Sequence, residues 1–180
     1  MWVTGDKYVE IYHEDWAAPR ITAYIRDASI IWLNVHTGTQ IETTGLFTDT
    51  RVKRIVFPCP YHNPSISLYS KVFDKNEERL KEDIKQRTKI VNSEISVRWT
   101  DDAISESMIF VNPDDNPSKS SKVLVDVYLP YLGTSPRPKF EVNSHYQKRL
   151  FSDIKKSFNA LWDKAQIPKC CEEKARAQGS

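Results

Sequence analysis

Two short stretches carry side chains suited to holding an anion. His36-Thr37-Gly38-Thr39 combines an imidazole, two hydroxyls and a glycine, and successive backbone N–H groups in such a loop can cradle a phosphate or carboxylate as a small nest. In that role His36 would donate hydrogen bonds rather than attack. The alternative is an ordinary turn with an exposed histidine. Arg137 stands between Pro136 and Pro138, which fix its presentation, and a guanidinium so held is a bidentate clamp for an anion. An exposed arginine without a partner is the plainer reading.

The remaining chemistry-bearing residues are scattered. His13, His62 and His145 stand apart from His36, and Tyr61-His62 beside Pro60 reads as loop packing. Cys59 is internal, and Cys170 and Cys171 are adjacent near the end. They make neither an even disulfide framework nor a metal-ligand spacing, so no metal and no cofactor is expected and a reducing, cytoplasmic setting is. Arg51, Lys53 and Arg54 cluster without interleaved aromatics, a weak nucleic-acid signal. With 26 basic and 24 acidic side chains, the net charge of +2 provides no global field to recruit nucleic acid or an anionic membrane. Nucleic acid is not excluded as a local partner; a membrane is not expected. No apolar run approaches the ~20 residues that span a bilayer, and the N-terminus lacks a basic region followed by an apolar core.

The elements that would position these groups follow from periodicity. At 180 residues and 39% hydrophobic, the chain suits one domain, here residues 1–168, with residues 169–180 as a polar tail or linker. Ser29–Val35 reads as a central strand ending in the His36–Thr39 loop, and Asp49–Phe57 as another strand, with a short edge strand at Tyr8–Tyr12. Ile21, Tyr24, Ile25 and Ala28 share a helical face after Pro19. Helical patterns follow from Pro64 and again near Asp74, where Glu77 completes a capping box. Ile95–Asn112 reads as two apolar strands joined by a polar hairpin, with Trp99 plugging the core. Asn112–Ser121 is turn-rich. Lys122–Leu129 and Pro136–Val142 are strand candidates, and Tyr146, Leu150, Ile154, Phe158, Leu161, Trp162 and Ala165 form a long helical stripe. The rhythm of strand, connection and strand implies parallel pairing. The fold class is therefore α/β, a mixed, largely parallel sheet with helices on both faces.

That order of elements, with Ile31-Trp-Leu-Asn, Arg51-Val-Lys-Arg-Ile-Val-Phe-Pro, Val97-Arg-Trp and Ser107-Met-Ile-Phe-Val-Asn, resembles a single phospholipase D-like domain over roughly Pro19 to Ala165. Active members of that family carry His-x-Lys-x4-Asp, and two copies meet across a two-fold axis. The resemblance places those positions at Ser105, Ser107 and Asn112, so the nucleophilic imidazole, the ammonium and the carboxylate are all missing. It thus implies a non-catalytic sensor or regulatory module, a homodimer and part of a larger protein. A phosphorylated small molecule or nucleotide is the expected ligand, held near His36, Thr37, Gly38, Thr39, Ser105, Ser107, Asn112 and Arg137. Two other classes stay open: a phosphodiesterase or nuclease with an unconventional active site, and a dimerisation or docking domain.

Overall fold

Ile31–Asn34 is buried at every position and forms β2, near the middle of a seven-stranded sheet. The computed structural model describes residues 10–12, 18–72, 76–114, 121–127 and 138–178. Its other strands are β1 (Glu10–Tyr12), β3 (Val52–Pro58), β4 (Ser96–Thr100), β5 (Glu106–Val111), β6 (Lys122–Val127) and β7 (Lys139–Asn143), in the order β1-β7-β6-β5-β2-β3-β4. The helices are α1 (Ala18–Tyr24), α2 (Thr39–Thr43), α3 (Ser65–Val72), α4 (Glu77–Ile90), α5 (Lys148–Lys164) and α6 (Pro168–Gln178).

The α/β class and the helices on both faces stand. Alternation along the strands divides the core in two. Ile31 and Leu33, Ile55 and Phe57, and Ile109 and Val111 join Ile21 of α1 and Ile25 just after it, Ile66 and Tyr69 of α3, and Leu80 and Ile84 of α4. Trp32, Val56, Met108, Phe110 and Val123 face the other way, against Phe151, Phe158 and Trp162 of α5. Burial on both faces explains why β5 reads as an unbroken apolar run.

The expectation of a largely parallel sheet is corrected. Only β2–β3 and β3–β4 are parallel, whereas β1–β7, β7–β6, β6–β5 and β5–β2 are antiparallel. Parallel neighbours need a crossover of about a dozen residues or more, which α2 and then α3 with α4 help to supply. Residues 112–121 and 128–138 are too short for one, so β5, β6 and β7 reverse direction. Nor do β4 and β5 form a hairpin: β2 and β3 lie between them. The chain leaves the end of β4 and crosses to the far side of β2. Asn63 Nδ2 ties down this crossing segment by donating to the carbonyls of Thr100 at 2.8 Å and Asp102 at 2.7 Å.

Local signals were met with small shifts. Asn76 rather than Asp74 caps α4, its Oδ1 accepting from the N–H groups of Glu78 at 2.8 Å and Arg79 at 3.3 Å. Trp99 is a core plug, 1% exposed, with its Nε1 donating to Thr88 Oγ1 at 3.1 Å. Within the stretch expected as a polar tail or linker, α6 runs to Gln178: Pro168 opens the helix, and Cys171 is buried.

Candidate functional site

Asn34 ends β2 at the point where the sheet changes its direction of growth. From β2 the chain builds outward through β3 and β4, then returns to lay β5 along the other side of β2. In open α/β sheets a crevice forms outside the carboxyl ends of the strands at such a switch point. Here a cleft of about 230 Å³ lies between Asn34, the segment Asp102–Ile104, Glu106 and the α5 residues Ser157, Ala160, Leu161 and Lys164.

The cleft is lined by polar and apolar residues alike and carries more negative than positive charge. Asn34 is 0% exposed; its Nδ2 donates to the Glu106 carbonyl at 3.0 Å, and its Oδ1 is buried without a hydrogen-bond partner among the described residues. An unmet buried acceptor costs about 1–3 kcal/mol, so this atom is where a donor would gain most. Lys164 Nζ lies 3.8 Å from Asp102 Oδ2 in a solvent-exposed pair. Two carboxylates against one ammonium oppose the binding of a phosphate.

The residues singled out in the sequence do not assemble around this cleft. His36 and Ser107 do meet, with Ser107 Oγ 3.3 Å from His36 Nδ1. His36 Nε2 lies 3.2 Å from the Ile104 carbonyl, which can only accept, so that nitrogen is the donor. The imidazole is only 1% exposed and packs on the Tyr69 ring at 4.5 Å between centroids, so it is neither an exposed turn histidine nor an open anion nest. Tyr69 Oη donates to the same Ile104 carbonyl.

The rest of the His36–Thr39 loop is clamped by protein. Arg87 Nη1 donates to the Thr37 carbonyl at 2.8 Å while its Nε donates to Glu42 Oε2 at 2.8 Å. Thr37 and Thr39 face each other through their hydroxyls at 3.3 Å, and Gly38 caps the five-residue α2 with a φ of 74°. Ser105 is exposed and its hydroxyl donates to the Glu106 carboxylate. Asn112, with a φ of 49°, has a structural role: its Oδ1 accepts from the N–H groups of Ser29 at 2.7 Å and Ile30 at 3.2 Å. Arg137 lies outside the described residues.

The basic cluster is also absorbed by the fold. Arg51 bonds Asp49 and the Ile25 carbonyl, Lys53 donates to the Thr50 carbonyl, and the Arg54 guanidinium lies 4.3 Å from the centroid of Trp32 and 5.2 Å from that of Trp162. Sequence reasoning missed Asn34, Asp102, Glu106 and Lys164. One signal was present: Asn34 is a polar residue at the end of an otherwise apolar strand, where a buried amide calls for an explanation.

No protein-family model matches the chain, and no curated protein matches it. Among solved structures it is similar to TrmBL2, described as an archaeal chromatin protein with a novel mode of DNA binding, at 16% identity and a TM-score of 0.48. The likeness covers 91% of this chain and 54% of that one, so the chain spans about half the length of TrmBL2. The phospholipase D-like resemblance is corrected accordingly: no family model carries it. The homodimer rested on that resemblance and goes with it. No helix among the described residues is long and apolar enough to cross a membrane.

Proposed function

We propose that the protein is a non-catalytic binding module that takes a small, hydroxyl- or amine-bearing molecule in the cleft at the end of β2. The buried, unpartnered Oδ1 of Asn34 is the observation that carries this reading, because it leaves an acceptor in need of a donor at a topological switch point. The carboxylates of Asp102 and Glu106 favour neutral or cationic polar ligands over the phosphorylated ligand expected from the sequence. At about 230 Å³ the cleft is below the roughly 300–1,000 Å³ of drug-sized sites, which fits a monosaccharide, a polyol or an amino alcohol.

Isothermal titration against a panel of such molecules, with sugar phosphates and nucleotides alongside, tests the proposal. At least one unphosphorylated member is expected to bind, and to stabilise the fold by about 2.7 kcal/mol at 100 times its Kd. Ser157→Trp, which fills the cleft from α5, and Asn34→Leu are each expected to abolish binding. The reading fails if nothing on the panel binds at millimolar concentration, or if a binder keeps its affinity in both variants.

A second reading is hydrolytic, with Ser107 as nucleophile and His36 as base. Their 3.3 Å contact, with the ring also held by the Ile104 carbonyl, supports it. Turnover of a generic ester or phosphodiester that is lost in both His36→Ala and Ser107→Ala would select this reading. The near-complete burial of His36 is what places it second.

A further inference from the structure

Cys59, Asp101 and Cys171 are far apart in sequence, yet their Sγ and carboxylate oxygen atoms all lie within 4.8 Å of one another. The fold brings them together at the carboxyl ends of two parallel strands. Cys59 follows β3, and its N–H donates to the Thr100 carbonyl at 2.8 Å, which continues the β3–β4 ladder by one residue. Asp101 follows β4. Trp99 and Gln166 exchange backbone hydrogen bonds, fixing the entry to α6 beside β4, and Cys171 sits on the first turn of that helix.

Both cysteines are buried, at 0% and 1% exposure, and Asp101 Oδ1 is buried with no hydrogen-bond partner among the described residues. Burial pushes the Cys59 thiol up, opposed in part by the N–H groups of Tyr61 and His62, which are directed at its sulfur. Lys174 Nζ lies 3.4 Å from Asp101 Oδ2, on the outer side of the cluster.

We propose that Cys59, Asp101 and Cys171 form a binding site for a thiophilic divalent cation of the zinc class. Two sulfurs and one carboxylate oxygen suit a borderline-soft ion and not calcium or magnesium, which take oxygen ligands. Loading forms two metal–sulfur bonds and one metal–oxygen bond and releases the two thiol protons to solvent, with no change of oxidation state. Two thiolates and a carboxylate around a dication leave one net negative charge, which Lys174 is placed to balance. Three protein donors leave a fourth position for water. A reactive redox pair is the poorer fit, because both sulfurs are buried, at 0% and 1% exposure, while disulfide exchange needs an accessible thiol.

The test is cobalt titration of the full chain after reduction and removal of bound metal. One equivalent of Co²⁺ is expected to bring up thiolate-to-cobalt charge-transfer absorption, which zinc then abolishes by displacement. Cys59→Ser and Cys171→Ser are expected to lose the bands, and Cys170→Ser, an exposed neighbour, to keep them. Asp101→Asn leaves both buried cysteines in place, so it tests the site even where a cysteine variant fails to fold; it is expected to weaken metal binding by at least about tenfold. The proposal is overturned if the wild-type chain shows no charge-transfer absorption, if Cys170→Ser rather than Cys171→Ser removes it, or if Asp101→Asn binds cobalt as tightly as the wild type.

Discussion

Trp99 and Gln166 exchange two backbone hydrogen bonds, the Trp99 N–H donating to the Gln166 carbonyl at 2.7 Å and the Gln166 N–H to the Trp99 carbonyl at 2.8 Å. This bridge covers part of β4, an edge strand whose unpaired backbone would otherwise invite another chain. Gln166→Pro removes one of the two donors. Ala165, with φ −67° and ψ 147°, already has the extended backbone that a residue before proline requires. The variant is therefore expected to lose about 1 kcal/mol, read as a lower urea midpoint at an unchanged slope. Gln166→Ala keeps both backbone bonds and serves as the control. Equal midpoints in the two variants would show that the bridge contributes nothing.

Gly38 and Gly45 make a matched pair. Their φ values are 74° and 73°, a region that costs a residue with a Cβ about 1–2 kcal/mol. A Cβ on Gly45 meets nothing within 4 Å, whereas one on Gly38 lies 2.8 Å from Phe47 Cζ and 3.2 Å from Phe57 Cε1. Both rings are buried, and forcing extra volume into a packed core adds about 1–3 kcal/mol. Gly38→Ala is thus expected to lower the denaturation midpoint clearly more than Gly45→Ala. Equal losses would mean that the Phe47 ring yields without cost.

What the sequence disclosed is what local periodicity encodes. β2, β5 and the apolar stripe of α5 were legible because burial on two faces gives a continuous apolar run and burial on one helical face repeats every 3.6 residues. Pairing direction was not, because it depends on which strands become neighbours. Ile95–Asn112 looked like a hairpin since its two strands are close in sequence, yet two other strands separate them. The charge on Arg54 was visible but not the two indole rings it lies against. The cleft and the Cys59–Asp101–Cys171 cluster each draw on segments that meet only through the sheet and its crossovers, so no spacing in the chain announces them.

Phe158 is the centre of the core beneath α5. It is 1% exposed, and its ring centroid lies 5.5 Å from Trp32, 5.2 Å from Phe110 and 6.4 Å from Trp162. Phe158→Ala removes all three contacts at a place where the sheet cannot collapse inward, and is expected to cost about 3–5 kcal/mol. Leu150 belongs to the same sequence stripe but is 41% exposed. Leu150→Ala is expected to stay within about 0.5 kcal/mol of the wild type. Chemical denaturation of the two variants checks the contrast, and a large loss in Leu150→Ala would count against the orientation of α5.

Asp49 makes stability depend on pH in a specific direction. Arg51 Nε donates to both carboxylate oxygens, at 3.0 and 3.1 Å, and Nη2 donates to Oδ2 at 2.6 Å. These hydrogen bonds hold the Asp49 carboxyl below the usual carboxylate range, against the opposing effect of its partial burial. Because the folded-state pKa is depressed, the folded chain binds this proton less readily than the unfolded chain. The contribution is fully present above the unfolded value of about 3.9 and is lost as pH falls through the lower, folded value. The same guanidinium donates through Nη1 to the carbonyls of Ile25 and Arg26, just past α1, at 3.0 and 3.3 Å, so protonation of Asp49 also loosens the anchor of that helix end. Urea midpoints measured between neutral pH and about pH 3 are expected to fall in the acid limb. In Asp49→Asn the midpoint starts lower at neutral pH and declines less steeply, since one depressed carboxyl is gone. An acid limb as steep in Asp49→Asn as in the wild type would assign the acid sensitivity to other carboxylates.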